Sequence, residues 1–313
     1  MKIAITGGFG YIGSRLVERL VGQGHEVLIL DNLSTSVTRE RYGADYRQCD
    51  ITDADSLARV DARGFDVLMH LAAQSSGAFS FEHPEEDIRI NVIGTLNMID
   101  WCRRNGIPRI LFASSFTVYG DQPGFEQLSE QMPCKPKAVY ALSKHTCENL
   151  LRIYAEPHGI AWNALRMFNV YGPGQDLGRA DQGMVSIFLG MLREGDYVGV
   201  KGSLDRFRDF IYIDDVLNGW ECCLGNDNPA FFNRVYNLGS GTRTSVGFLI
   251  RSIADAMGKG ERAVIEEIGT TPGDILGCYA DISAFRRELG YRPEWTLHQG
   301  LREMIAWSQS LAA

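Results

Sequence analysis

The chain has 313 residues and a net charge of −8, and it is 45% hydrophobic and 22% charged. That is enough chain for one large domain or two smaller ones, in the mix of a globular protein. The acidic balance argues against a nucleic-acid or membrane surface as partner, although a few local cations and helix N-termini can still hold a phosphate-bearing ligand. The seven cysteines are odd in number and form no CxxC pair. They read as buried thiols of a reducing compartment rather than a disulfide framework or metal site. The apolar N-terminal stretch runs into a glycine turn and is too short for a signal peptide, and no window offers the ~18 apolar residues of a membrane span. A cytoplasmic protein without a metal is expected.

In chain order, Lys2–Thr6 is a β-branched run followed by glycines and an amphipathic stretch, Ile12–Val21. A second run, Glu26–Leu30, ends in Asp31, and a short third, Tyr46–Gln48, precedes Asp50-Ile51. Then come the run Asp66–Leu71, a helical stretch near Val92–Arg104, the run Arg109–Ala113, a helix over Tyr140–Ala155 and the run Ala161–Arg166. This βαβα rhythm predicts a doubly wound parallel sheet of α/β class, covered by helices on both faces. After Met167 glycine and proline become frequent, and helical patterns dominate near Met184–Arg193, Val216–Leu224, Val246–Met257 and Leu297–Ser308. The expected division is a Rossmann-type domain over residues 1–167 and a smaller C-terminal α/β lobe over 168–313, interleaved with the first.

Gly7, Gly10 and Gly13 have GxxGxxG spacing between the first strand and the first helix. One glycine permits the tight turn, one lets a pyrophosphate approach the backbone, and one lets the helix pack on the strand, with the phosphates at the positive helix N-terminus. The same triplet also fits a plain strand–turn–helix; its place behind a first strand favours the dinucleotide. Asp31 lies 18 residues after Gly13. A carboxylate there accepts bonds from ribose hydroxyls and repels a 2′-phosphate, which favours NAD over NADP; otherwise it is a solvated loop acid. Asp50 is placed to meet the adenine amino group or to cap a helix.

Tyr140 and Lys144 are spaced i, i+4 and share one helix face. A phenol has a pKa near ~10, and bringing it to ~7 takes about 4 kcal/mol of differential interaction. A nearby ammonium and a positive nicotinamide ring stabilise the phenolate, which then serves as a general base toward a sugar hydroxyl. YxxxK also occurs as a structural pair. Ser114-Ser115 follow the run Arg109–Ala113, near the carboxyl end where sites on such sheets form, and His70-Leu71-Ala72-Ala73 ends the preceding run in small residues suited to packing against a cofactor.

With TGGFGYIG at Thr6–Gly13, LDNL at Leu30–Leu33, HLAA at His70–Ala73, NVIGTLN at Asn91–Asn97, SSFTVYG at Ser114–Gly120, YALSK at Tyr140–Lys144, RMFNVYGPG at Arg166–Gly174 and RDFIYIDDV at Arg208–Val216, nearly the whole chain resembles the extended short-chain dehydrogenase/reductase family in its nucleotide-sugar epimerase and dehydratase branch. The resemblance implies a catalytic Ser115, Tyr140 and Lys144. It implies NAD contacts at Gly7, Gly10, Tyr11, Ile12, Gly13, Asp31, Asn32, Asp50, Ile51, Leu71, Ala72, Ala73, Asn91, Tyr140, Lys144 and Phe168. For the nucleotide-sugar it implies Ser115, Phe116, Thr117, Asn169, Met184, Arg208, Asp274 and Cys278, with Arg206 as a second phosphate candidate.

Dehydratases of the branch carry an Asp-Glu pair after the serine, and decarboxylases keep a Glu at the second position. Phe116 and Thr117 do not titrate, which leaves 4-epimerisation through a transient 4-keto sugar with NAD recycled. Where relatives have Arg-Pro-Gly-Asp this chain has Thr271-Pro272-Gly273-Asp274, so a cation is missing that Arg206 would replace. Gly183-Met184-Val185-Ser186 lacks the proline of many relatives near the base, and uracil is favoured. Cys278 stands where a tyrosine restricts some relatives to unacetylated sugars, so the expected substrates are UDP-GlcNAc/UDP-GalNAc beside UDP-Glc/UDP-Gal; a purely structural Cys278 is the other reading. The family's dimer helices correspond to Val92–Arg104 and Tyr140–Ala155, so a homodimer is expected. The rivals are a dehydratase, decarboxylase or reductase of the same branch, and a non-catalytic NAD-binding protein on the same fold.

Overall fold

The structure is a computed structural model and describes residues 1–122, 124, 127–178, 183–269 and 277–311. Its centre is a seven-stranded sheet. The strands are β1 Lys2–Thr6, β2 Glu26–Asp31, β3 Asp45–Gln48, β4 Val67–His70, β5 Arg109–Ser115, β6 Ala161–Met167 and β7 Arg234–Leu238. In space they run β7-β6-β5-β4-β1-β2-β3, each pair parallel. Strand order reverses at β1, so the crevice between the carboxyl ends of β1 and β4 is the switch point where such sheets bind ligands.

Alternation along each strand feeds two separate cores. Ile3, Ile5, Ile29, Met69, Leu111 and Leu165 point to one face, where they meet Leu16 and Val17 of helix α1 (Tyr11–Gly22) and Val216 and Trp220 of the helix Ile213–Leu224. Ala4, Leu28, Leu68, Phe112 and Ala164 point to the other, where they meet Met98, Trp101 and Cys102 of α2 (Gly94–Asn105) and Cys147 of α3 (Val139–Leu150). Burial on both faces explains why these strands read as unbroken apolar runs.

The elements expected up to Met167 are all present, with two extensions. Helical structure begins at Pro84 and passes through a π-turn at Arg89–Ile93 before α2, and α3 continues into a second π-turn at Leu151–Ala155. Beyond Met167 helices do not simply dominate: β7 completes the central sheet by pairing with β6 over Arg234↔Asn163 to Leu238↔Met167. Its pattern was obscured by Asn237, a fully buried amide that accepts from the Tyr119 hydroxyl at 2.6 Å and donates to the Leu128 and Asp281 carbonyls at 2.7 and 3.1 Å. The division at 167/168 is therefore crossed by a sheet strand. The rest of the C-terminal portion adds the helices Met184–Glu194, Val246–Ala256 and Leu297–Ser310, and two short parallel pairs, Asn169–Tyr171 with Phe210–Tyr212 and Tyr197–Val200 with Val264–Glu267. Among the described residues no helix is long and apolar enough to cross a membrane.

The glycine turn is a steric necessity. A Cβ on Gly13 would lie 2.1 Å from the Gly7 carbonyl oxygen, and one on Gly7, at φ +69°, would lie 2.8 Å from the Ala72 amide nitrogen. Gly22, on the same helix, has nothing within 4 Å of such a Cβ. Gly13→Ala is expected to cost about 1–3 kcal/mol through overpacking of backbone on backbone. Gly22→Ala is expected to leave stability unchanged or slightly raised. Thermal melts of the two variants check this, and equal midpoints would contradict it.

Candidate active site

A cleft of about 1870 Å³ opens at the carboxyl ends of the strands. Drug-sized pockets span about 300–1,000 Å³, so this one has room for two extended ligands. Gly7, Gly10, Tyr11, Ile12, Gly13, Asp31, Asn32, Asp50, Ile51, Leu71, Ala72 and Ala73 line it, as do Ser115, Phe116, Thr117, Tyr140, Lys144, Phe168, Asn169, Met184, Arg206 and Arg208.

At the switch point the N-terminus of α1 is capped by Gly10, with no side-chain cap and no acid in the first turn. Its leading N–H groups are thus left for an anion, as a pyrophosphate requires. Asp31 is buried and accepts from the Phe9 amide at 3.0 Å and the Leu33 amide at 2.7 Å. Those bonds fix the carboxylate at the cleft edge and leave lone pairs for a diol. Asp50 caps its own turn, accepting from the Thr52 amide and hydroxyl at 2.8 Å each; the following helix is capped by Asp53 instead.

The loop after β4 is set by a chain the sequence did not reveal. Thr6 Oγ1 accepts from the Leu71 and Ala72 amides, both at 3.1 Å, and lies 2.7 Å from His70 Nδ1. With both lone pairs used, the threonine must donate its proton to Nδ1, so Nε2 carries the imidazole hydrogen and gives it to Thr95 Oγ1 at 3.1 Å. Burial, helped by the Lys144 charge, lowers His70 to about 3, so it stays neutral as this chain demands.

Ser115 ends β5, and Tyr140 and Lys144 lie on the first turns of α3, all on the cleft wall. The Ser115 hydroxyl accepts from Thr117 Oγ1 at 3.0 Å and is hydrogen-bonded with Tyr140. Lys144 is buried and donates to the Ala113 carbonyl at 2.9 Å; its ammonium lies 5.0 Å from the Phe112 ring centroid and 6.0 Å from that of Tyr140. The phenol is not near 7 by the protein's own doing. Burial pushes Tyr140 up to about 12, the Ser115 hydrogen bond opposes this, and Asp87 reinforces it. Burial likewise lowers Lys144. The expectation of an activated phenolate therefore requires added positive charge beside the ring.

Two expected contacts do not reach the cleft. Asn91 is buried behind it; its amide accepts from the Gln74 N–H at 2.9 Å and donates to the Gln74 carbonyl at 3.0 Å and to Ser143 at 3.1 Å. It fastens the loop after β4 to α3 and is not among the residues that line the cleft. Cys278 is buried in the core beside Arg208 and is not part of the cleft wall, so room for an N-acetyl group does not follow from it. Asp274 lies outside the described residues.

On the substrate side, the Asn169 amide nitrogen donates to the Asp209 carbonyl at 2.9 Å. Arg208 is buried, which lowers its guanidinium to about 10 and leaves it charged at neutral pH. Arg206 is folded back, donating to the Ser203 carbonyl at 3.1 Å and the Lys201 carbonyl at 2.6 Å. Cleft residues that sequence reasoning missed include Gln74, Ser76, Lys137 and Gln175, isolated polar residues in loops with no spacing to mark them. Cys134, His145 and Glu148 bring ligand atoms within 4.8 Å of one another, but Arg166 donates to both Glu148 and Cys134, so a fixed cation already fills that place.

The profile of the NAD dependent epimerase/dehydratase family matches residues 3–239. The UDP-glucose 4-epimerase of Mycolicibacterium smegmatis is 31% identical over 312 residues, 97% of each chain. Among solved structures, the UDP-glucose 4-epimerase of Thermotoga maritima with UDP-glucose superposes with a TM-score of 0.93 at 29% identity, covering 100% of both chains. The UDP-N-acetylglucosamine 4-epimerase of Methanobrevibacter ruminantium M1, in complex with UDP-N-acetylmuramic acid, gives 0.90 at 29% identity, covering 99% of this chain and 98% of the other.

Two variants separate the roles at the site. Tyr140→Phe removes the base and is expected to lower kcat by about 10²–10⁴. Lys144→Met removes a cation beside an acid whose ionised form is active. Its pKa should rise, and the acid limb of the kcat–pH profile should move to higher pH with kcat lowered at neutrality. A profile that keeps its position in Lys144→Met would contradict this electrostatic role.

Proposed function

The chain belongs to the NAD dependent epimerase/dehydratase family and is an NAD-dependent epimerase, and we propose that it inverts C4 of a UDP-linked hexose through a transient 4-keto sugar. The observation that carries this reading is Ser115, Tyr140 and Lys144 on one cleft wall beside Phe116 and Thr117, which bring no ionisable group next to Ser115. The residues present suit NAD: uncapped N–H groups at α1 for the pyrophosphate, Asp31 for the adenosine ribose, and Lys144 for the nicotinamide ribose.

NAD held at these residues would supply the hydride acceptor and donor for C4. Tyr140 takes the 4-hydroxyl proton, with Ser115 sharing the hydrogen bond, and gives it back to the same oxygen when the keto group is reduced from the opposite face. Lys144 contributes positive charge and, through the Ala113 carbonyl, stays fixed while the phenol cycles. Asn169 and Arg208 hold the diphosphate, the guanidinium offering a bidentate fork. UDP-Glc/UDP-Gal and UDP-GlcNAc/UDP-GalNAc are the substrate pairs favoured. The protein is also proposed to act as a homodimer through α2 and α3 with their adjoining π-turns, where Ile93, Leu142 and Ile153 are exposed.

Purified protein incubated with UDP-, dTDP-, GDP- and CDP-sugars is expected to invert C4 of a UDP-hexose, seen by proton NMR, without net change in NADH absorbance. Inversion confined to another nucleotide, or net consumption of NADH, would overturn the reading. In sedimentation, the expected particle has twice the 34.8 kDa chain mass. Combining Leu142→Glu with Ile153→Glu should give a monomer; a monomeric parent would refute the dimer.

A further inference from the structure

Phe116 follows Ser115 directly, lines the cleft and is only partly buried. Its ring stacks on that of Phe168, with centroids 5.1 Å apart and planes 19° from parallel. Phe168 is itself buried and its backbone is held by a bond to the Leu238 carbonyl at the end of β7, so the Phe116 ring is backed by a core residue anchored to the sheet. The next side chain, Thr117, gives its hydroxyl proton to Ser115 at 3.0 Å. The stretch of cleft wall that directly follows Ser115 is therefore aromatic and carries no ionisable group of its own. Lys137, which reaches the cleft three residues before Tyr140, is paired with Asp121, and the charge of Lys144 is directed to the Ala113 carbonyl and the Phe112 and Tyr140 rings.

A 4-epimerase must hold one keto sugar in two orientations, so that hydride leaves one face of C4 and returns to the other. A wall of hydrogen-bond donors would favour one orientation, whereas a ring face meets sugar C–H groups without directional preference. The same face treats a charged substituent differently: a carboxylate pressed against it loses water and gains no partner. We propose that Phe116, braced by Phe168, is a specificity determinant that admits hexoses whose substituents flanking C4 are neutral and turns away a C6 carboxylate. This rests on the 4-epimerase reading of the site.

The test compares kcat/KM for UDP-glucose and UDP-glucuronate in the parent and in Phe116→Ser and Phe116→Leu, with bound NAD content measured for each. The parent should favour UDP-glucose by at least about 10-fold, and Phe116→Ser should narrow that ratio by about 10-fold, a span typical of single pocket contacts. Phe116→Leu, which keeps an apolar wall, should preserve the ratio while both variants retain NAD. Equal use of the two sugars by the parent, or an unchanged ratio in Phe116→Ser, overturns the proposal and leaves the epimerase reading standing. Failure of the parent to invert any UDP-hexose removes both.

Discussion

Two buried charges on α3 clamp that helix to the end of β5, and the reactive geometry depends on this clamp. Lys144 donates to the Ala113 carbonyl, and one turn further on Glu148 accepts from Ser114 Oγ at 2.5 Å and from Arg166 at 2.7 and 2.9 Å. Arg166 sits on β6 and also covers the Tyr119 ring at 4.6 Å. Three successive elements are thus joined through a single ion pair that is 5% exposed on each side. Losing one partner of such a pair costs about 3–5 kcal/mol, because the other is left charged in a dry interior. The position of Tyr140 relative to Ser115 follows from this anchoring together with the hydrogen bond between the two side chains.

The clamp has an electrostatic consequence. It draws the Lys144 ammonium toward the Ala113 carbonyl and the Phe112 ring, so the charge acts on the tyrosine from the ring side. Burial of the phenol dominates, and the group remains protonated at neutral pH in the protein alone. On the proposed reading Tyr140 would become a base when positive charge is added beside it, which would tie proton transfer to occupancy by the cationic form of the cofactor. The neutral His70 fits the same scheme. An imidazolium there would break the Thr6–His70–Thr95 chain and so release the two amides that shape the loop after β4.

Most of the sheet and the cleft could be read from residues because both are encoded locally. Apolar runs marked β1, β2, β4, β5 and β6, and three glycines marked a turn in which Cβ atoms would strike backbone. Tyr140 and Lys144 share a helix face by spacing alone. What could not be read depends on distant partners. β7 is a sheet strand whose Asn237 is satisfied by Tyr119, Leu128 and Asp281, contacts that no local pattern announces. Asn91 lies in a recognisable segment, yet it turns inward because Gln74 and Ser143 meet it there. The state of the tyrosine is set by desolvation, which spacing does not convey.

The substrate side is organised by a second buried carboxylate. Asp209 accepts from the Ser240 amide and hydroxyl at 2.8 and 2.7 Å, from the Gly241 amide at 2.9 Å and from the Ala280 amide at 3.1 Å. Its carbonyl accepts from both the backbone and the side chain of Asn169. The turn after β7, the strand Tyr279–Ala280 and the strand Asn169–Tyr171 are therefore gathered at the residue that follows Arg208. Four donors on one carboxylate leave it little freedom to shift. Asn169 is bonded to this rigid node and Arg208 immediately precedes it, so a diphosphate held by both, as proposed, would meet partners already oriented, with less ordering left for binding to supply.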